Sequence, residues 1–156
     1  VVGRGSAGKA IVMGLLERHG EVRTKVIPNP RRGTLQPEVK AHVAFGSKVY
    51  TDALASYAGL SEDFQHKVID HAECYVKGQV HTNGMENYWS LLKRGIKGTY
   101  VSVEPYHLFR YLDEQAFRFN ERDGDDSSRF WKAMGSVAGK RLTYSRLLGE
   151  GRESTV

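Results

Sequence analysis

Two acidic residues and one lysine have the types and positions that phosphoryl-transfer chemistry could use. Asp52 follows a short apolar segment at residues 48–51, and active sites of α/β folds lie at the carboxyl ends of strands. Glu86 and Lys93 are seven residues apart, which is two helical turns, so both would project from one side of a helix. Carboxylates that jointly hold two divalent ions commonly serve phosphodiester chemistry, and a lysine beside them could hold a DNA phosphate.

A helix is predicted over residues 82–96, because apolar and polar residues recur there at spacings of three and four. The apolar stripe would face a core, whereas the polar stripe would present its carboxylate and its lysines together. The apolar stripe consists of Met85, Tyr88, Trp89, Leu92 and Ile96, and the polar stripe consists of Asn83, Glu86, Ser90, Lys93 and Lys97.

Each candidate also has a purely structural interpretation. Asn83 and Glu86 have the spacing of a capping box, in which Glu86 would only satisfy backbone N–H groups. Asp52 could cap the helical turn that follows it. Lys93 and Lys97 could belong to an ordinary solvated surface.

The remaining pattern predicts a mixed α/β layout. A continuous apolar run predicts a buried strand at 10–17, and alternation predicts a second strand at 22–27 that forms a hairpin with the first. Thr34 is expected to cap a helix that extends to residue 43. Further expected elements are a strand at 48–51, a helical turn at 53–57, a strand at 67–69, a helix at 105–121, a polar linker at 122–128 and a short helix at 130–137.

Composition limits the classes of protein to consider. The 156 residues carry a formal net charge of +5, which favours an anionic partner such as nucleic acid. No apolar run approaches the ~20 residues of a membrane helix, and no signal peptide is recognisable, so we expect a cytoplasmic protein without a membrane partner. Cys74 is the single cysteine, which excludes an internal disulfide and a four-cysteine zinc site.

Two other patterns suggest ligands but have weaker support. Residues 3–9 have the glycine and lysine spacing of a phosphate-binding loop, yet Ala10 stands where Ser or Thr would bind magnesium. We therefore expect no nucleotide, and a basic loop that touches DNA phosphates instead. His71, Cys74 and His81 match no zinc motif, so structural roles are favoured for them.

The most specific signal is the block at residues 80–100, VHTNGMENYWSLLKRGIKGTY. Together with residues 49–52, Tyr57, residues 107–108 and 111–114, and residues 117–120, it resembles the bacterial insertion-sequence transposases of the ISXO2-like group. The segments 14–18 and 35–37 also match that pattern. The resemblance covers roughly residues 8–122. It implies an RNase H-like, integrase-like α/β fold, a mixed sheet flanked by helices, over residues 1–121, followed by a polar, basic tail at 122–156.

The resemblance also implies a chemistry: cleavage and joining of DNA at the ends of the element, with Mg²⁺ or Mn²⁺. Asp52 matches the second catalytic acid of the family, Glu86 matches the third, and Lys93 matches the basic residue seven positions later. Asn83 lies in the same motif and is a secondary candidate. Lys93, Arg94 and Lys97 are the expected DNA contacts. Such enzymes act on element ends and target DNA as homo-oligomers, which places the protein at the nucleoid.

One departure from the family concerns its first strand and first catalytic aspartate. The chain opens with Val1-Val2-Gly3, and its first nine residues contain no acid. The expectation is an N-terminally truncated transposase domain whose first strand and first acid are missing. This segment alone would then be inactive, and the alternative to a working transposase is a catalytically inactive DNA-binding remnant.

Overall fold

The computed structural model describes residues 9–69 and 83–148, with the side chain of Asn83 left out. The chain divides into two compact units, Val1–Asn120 and Glu121–Val156. Within the described ranges, no helix combines the length and the apolar character that crossing a membrane requires. The first unit is a mixed α/β arrangement, as the sequence predicts, and the second is helical.

An antiparallel hairpin forms the centre of the first unit. Strand β1 (Ile11–Leu16) pairs with β2 (Val22–Ile27), with Ile11 opposite Ile27. In the turn, the Gly20 N–H donates to the Glu17 carbonyl at 2.9 Å. Helices cover both faces of the hairpin, which explains why β1 is apolar at successive positions. The predicted strands and their pairing are confirmed.

Helix α1 (Arg32–His42) covers one face of the hairpin. The core on this side is formed by Met13, Ile27, Leu35, Val39, Leu60 and Phe64. The helix begins two residues before the expected cap, so the prediction that Thr34 is the cap is wrong. The Thr34 hydroxyl instead donates to Asn29 Oδ1 at 2.9 Å, and Arg31 occupies the cap position without a side-chain hydrogen bond.

A second pair of strands, which run parallel to each other, follows α1 along the chain. Strand β3 (Lys48–Thr51) pairs with β4 (Gln65–Val68), with Thr51 opposite Val68. Between them are two short 3-10 helices, Ala55–Tyr57 and Leu60–Glu62. Strand β4 begins two residues earlier than predicted. Over residues 9–69 and 83–148 the two sheets have two strands each, and no ladder joins them.

Helices α2 (Asn83–Gly95) and α3 (Leu108–Asn120) pack on the opposite face of the hairpin. Their core contains Val22, Tyr88, Leu92 and Leu112. A π-helical turn, Ile96–Tyr100, follows α2, and a 3-10 turn, Pro105–His107, precedes α3. Both long helices are confirmed, and the first three residues predicted for the second form this 3-10 turn.

The second unit contains α4 (Asp126–Val137) and α5 (Tyr144–Leu148). The short helix predicted at 130–137 is longer and begins inside the predicted linker. The cause is Asp125, whose carboxylate accepts the Ser128 N–H at 2.7 Å. A side-chain cap of this kind satisfies a backbone donor at the helix start, so residues 126–128 are helical and not a linker.

Candidate functional site

Asp52 is the first residue after β3 and is exposed to solvent. One of its carboxylate oxygens, Oδ1, accepts the Leu54 N–H at 3.3 Å. The neighbouring Thr51 hydroxyl donates to the Asp52 carbonyl at 2.9 Å. The backbone around Asp52 is therefore shaped by local hydrogen bonds of the kind found in Asx turns, while the side chain remains open to solvent at the carboxyl end of a parallel strand.

The loop after Asp52 is tied to α1 through Gln36, which is only 7% exposed. Its side-chain amide donates to the Ser56 carbonyl at 3.1 Å and to the Ala58 carbonyl at 2.8 Å. The Ser56 hydroxyl donates to the Pro30 carbonyl at 2.6 Å. Because these bonds fix the middle and the carboxyl end of the Ala55–Tyr57 turn, α1 influences the path that the chain takes after Asp52.

Asp52 affects the pKa of the Tyr57 phenol. Burial, and to a lesser extent the negative charge of Asp52, raise the pKa of the Tyr57 phenol. An acidic side chain that raises the pKa of a half-buried neighbour in this way must lie close enough for a Coulomb interaction. The loop therefore places the Asp52 side chain close enough to the Tyr57 phenol to affect its pKa.

Glu86 and Lys93 occupy the solvent side of α2. Tyr88 and Leu92 on the same helix are 1% and 5% exposed, whereas Glu86 and Lys93 are both exposed. Glu86 lies in the first turn and Lys93 in the last turn, so each has the sign of charge that the helix dipole favours at its end. Arg94 and Lys97 are also exposed, and the predicted polar face of this helix is confirmed at Glu86, Ser90, Lys93 and Lys97.

Gly14 in β1 lets α2 approach the hairpin closely. A Cβ atom at this position would overlap the Met85 methyl group and would lie 2.7 Å from the Trp89 ring. Only glycine leaves room for these two side chains. The distance between α2 and β1, and hence the position of the Glu86 face above the sheet, depends on the absence of a side chain at residue 14.

The far end of α2 is tied to α3 by a group of contacts that the sequence did not suggest. The Tyr100 hydroxyl donates to Glu114 Oε2 at 2.7 Å, and Arg118 donates to Glu114 Oε1 from two nitrogens at 3.0 and 2.9 Å. Immediately after the π-helical turn, Val101 adopts a φ of 63°, which is costly for a β-branched residue. The contacts with α3 hold this strained segment, next to Lys97.

Two further contacts near Asp52 could not be predicted from the sequence. The Arg18 guanidinium lies over the Tyr50 ring, 5.2 Å from its centroid. His66 Nε2 is 2.9 Å from the Thr51 hydroxyl. Both contacts join residues that are distant in the chain, so no local pattern could have revealed them. The Arg18 guanidinium and the His66 imidazole therefore lie near the carboxyl end of β3.

The described residues contain no group of three or more His, Cys, Asp or Glu side chains arranged to hold a metal ion. Asp52 and Glu86 offer oxygen donors of the type that Mg²⁺ and Mn²⁺ prefer, but these two carboxylates alone make an incomplete set. Several earlier candidates fall outside the described residues: the side chain of Asn83, the glycines of the phosphate-loop pattern at 3–8, and His71, Cys74 and His81.

Comparison with protein families identifies the first unit. The model of the ISXO2-like transposase domain matches residues 2–120, which is most of the 156-residue chain. The chain belongs to the ISXO2-like transposase family. No curated protein and no solved structure matches it. The transposase domain includes all elements from β1 to α3, whereas α4 and α5 lie beyond the matched residues.

Proposed function

We propose that this protein is a transposase that cleaves DNA strands and joins them to target DNA during transposition of an insertion sequence. The observation that carries the proposal is the placement of an exposed acid at the end of parallel strand β3 and a second exposed acid on α2, within a transposase domain. The proposed arrangement is RNase H-like, and the proposed setting is the bacterial cytoplasm, at the nucleoid.

Asp52 and Glu86 are the proposed metal ligands, and Mg²⁺ or Mn²⁺ is the proposed ion. When bound, such ions lower the pKa of an attacking water and stabilise the leaving oxygen in phosphodiester cleavage. The proposed role of Asp52 and Glu86 is to supply carboxylate oxygens to the ion. We assign no residue to the first catalytic acid of the family, and Asn83 is a secondary candidate for the same site.

Lys93, Arg94 and Lys97 are the proposed contacts to the DNA backbone. All three are exposed on or directly after α2. Lysine and arginine side chains hold phosphate oxygens in contacts that position DNA without reading its sequence. Because Lys93 is two turns from Glu86 on the same side of the helix, a phosphate bound there would hold the strand near the acid.

The test is Glu86→Gln in the protein as its source DNA encodes it. We expect this change to abolish divalent-metal-dependent strand cleavage, because the neutral amide is a much weaker metal ligand, and to leave DNA affinity within about twofold, because the fold and the lysines are retained. Cleavage is measured on supercoiled plasmid and affinity by fluorescence anisotropy.

Glu62→Gln is the matched control. Glu62 is an exposed glutamate in the short helix Leu60–Glu62, away from α2. Its substitution removes the same charge and should leave cleavage unchanged. If Glu86→Gln still cleaves at the parental rate, Glu86 has no role in metal binding, and the proposed site is incorrect.

The second candidate is a DNA-binding transposase remnant without catalysis. It is motivated by the incomplete ligand set that Asp52 and Glu86 form by themselves. The 156-residue chain would then bind DNA with strong salt dependence but would not nick plasmid in Mg²⁺. Nicking that the purified chain performs, and that Glu86→Gln abolishes, would refute this second candidate.

A further inference from the structure

Helix α4 exposes an apolar stripe that the transposase chemistry does not use. Phe130, Trp131, Met134 and Val137 are 56%, 69%, 49% and 56% exposed. Their spacing places them on one side of the helix. Exposed aromatic and aliphatic side chains that form one patch commonly mark an interaction surface. We call these four residues the α4 stripe.

The opposite side of α4 is polar, and its charges are paired within the same unit. Arg129 forms an ion pair with Asp126, and Lys132 forms one with Glu121. The Ser136 hydroxyl donates to the Ala133 carbonyl at 2.7 Å. This side therefore makes polar contacts within its own unit, whereas the α4 stripe would lose contact with water by binding a partner.

The two ends of α4 carry opposite charges. Asp125 caps the start, and the Asp126 side chain is 98% exposed. At the other end Gly139 turns the chain with a φ of 72°, and the Lys140 N–H donates to the Val137 carbonyl at 3.0 Å. Lys140 and Arg141, both exposed, therefore stay beside the last turn.

We propose that the α4 stripe binds the same stripe of a second copy of this chain, with the two helices antiparallel. In that orientation the acidic start of each α4 faces Lys140 and Arg141 of the other, so both ends attract. A parallel pair would bring like charges together at both ends, which is unfavourable. Antiparallel helix dipoles attract as well, and the contact is closed by two-fold symmetry.

The size of the surface sets the expected strength. Four side chains cover less than the ~800 Å² per partner that stable interfaces bury. The contact is therefore weak in free solution, with a dissociation constant on the order of 1–100 μM. Two copies bound to one DNA molecule have a much higher effective concentration, so the contact would form there first. The proposal is independent of the roles of Asp52 and Glu86.

The test is sedimentation equilibrium of the complete 156-residue chain without DNA, for the parent and for Met134→Glu. A charge in the centre of the α4 stripe should raise the dissociation constant of the dimer by at least about tenfold, because it would be buried without a partner. Ser136→Glu adds the same charge on the polar side of α4 and should leave the constant unchanged. Circular dichroism confirms that both variants keep their helix.

Charge reversal tests the orientation of the helices. Asp126→Lys should weaken the dimer, and adding Lys140→Glu with Arg141→Glu should restore it, because only antiparallel helices bring these residues together. A parent chain that is monomeric at about 100 μM, a dimer that Met134→Glu does not weaken, or a failure of the triple variant to recover would each overturn the proposal. If the parent chain is monomeric, protection of Trp131 fluorescence from quenching by acrylamide would show that the α4 stripe is covered by another part of the same chain.

Discussion

The Lys93 side chain is exposed on α2, in the turn that also carries Arg94. If it binds a DNA phosphate, its removal eliminates the release of counterions from that contact. We expect Lys93→Ala to weaken binding to duplex DNA and to reduce the slope of log affinity against log salt concentration by about 0.9. Fluorescence anisotropy over a salt series measures both quantities.

Lys40→Ala is a suitable control for this measurement. Lys40 is also exposed, but it lies on α1 and pairs with Asp63 at 2.6 Å. It should leave the salt slope unchanged. An equal slope for the parent and for Lys93→Ala would remove Lys93 from the DNA interface, whatever its effect on cleavage.

Glu114 makes the end of α2 sensitive to acid. Its hydrogen bond from Tyr100, and secondarily its contact with Arg118, hold the pKa of this carboxyl below the ordinary glutamate value. A carboxyl whose pKa is lowered by folding stabilises the folded state above its unfolded pKa. This contribution is lost as the pH falls through the folded pKa. The contact should therefore be at full strength at neutral pH, and its contribution should begin to fall only as the pH drops below the ordinary glutamate pKa of about 4.3.

Tyr100→Phe should lower the free energy of unfolding by about 0.5–1 kcal/mol at about pH 6, and by less at about pH 3. The value is at the low end for a charged acceptor because the Glu114 side chain is 38% exposed. Urea unfolding at the two pH values measures it. Tyr106→Phe removes a hydroxyl from an exposed tyrosine and should have no pH-dependent effect. A loss for Tyr100→Phe that is the same at both pH values would contradict the assigned cause.

At the scale of elements, the close contact between β1 and α2 should be sensitive to substitution. Gly14→Ala should lower the free energy of unfolding by ~1–3 kcal/mol, because the new methyl group would displace Met85 and the Trp89 ring in a packed core. It should also reduce the proposed metal-dependent cleavage, since α2 carries Glu86. Chemical denaturation monitored by circular dichroism gives the first quantity.

Gly33→Ala is the matched control for that substitution. Gly33 lies in α1, and a Cβ atom added there meets nothing within 4 Å. Alanine is a better helix former than glycine, so this variant should be neutral or more stable by up to ~1 kcal/mol. If both variants behave alike, α2 can adjust its distance from β1, and the close approach at Gly14 has no structural importance.

The elements that could be predicted from the sequence are those whose pattern is local. The apolar run in β1, the alternation in β2 and the two stripes of α2 each specify a period and a buried face. The π-helical turn could not be predicted, because it is held by Tyr100 and Glu114, which are 14 residues apart. The start of α4 was missed, since Asp125 was interpreted as part of a linker when it is a helix cap.

The candidate site was predictable to a similar extent. The exposure of Glu86 and Lys93 followed from helical spacing, and the position of Asp52 followed from the end of a strand. The support of the Asp52 loop did not, because Gln36 is a polar residue of a type that is mostly exposed, yet it is buried and bonded to two carbonyls. Long-range hydrogen bonds of this kind leave no periodic signal.

At the scale of the whole molecule, the net charge and the family match refer to different lengths of the chain. The formal net charge of +5 applies to all 156 residues, whereas the transposase match ends at residue 120. The basic residues of the second unit and the α4 stripe therefore lie outside the matched transposase domain. This separation is why the proposed DNA binding, catalysis and self-association can be tested with different variants.

Asn120 closes the first unit with two hydrogen bonds to Val22, one to its N–H at 2.7 Å and one to its carbonyl at 3.0 Å, across 98 residues of chain. At a synthesis rate of ~5–20 residues per second, the hairpin leaves the ribosome roughly 5–20 s before this partner exists. During that interval the apolar face that α3 later covers is open to water. A nascent chain of this protein should therefore be a substrate for ribosome-associated chaperones, and its folding should finish only late in translation.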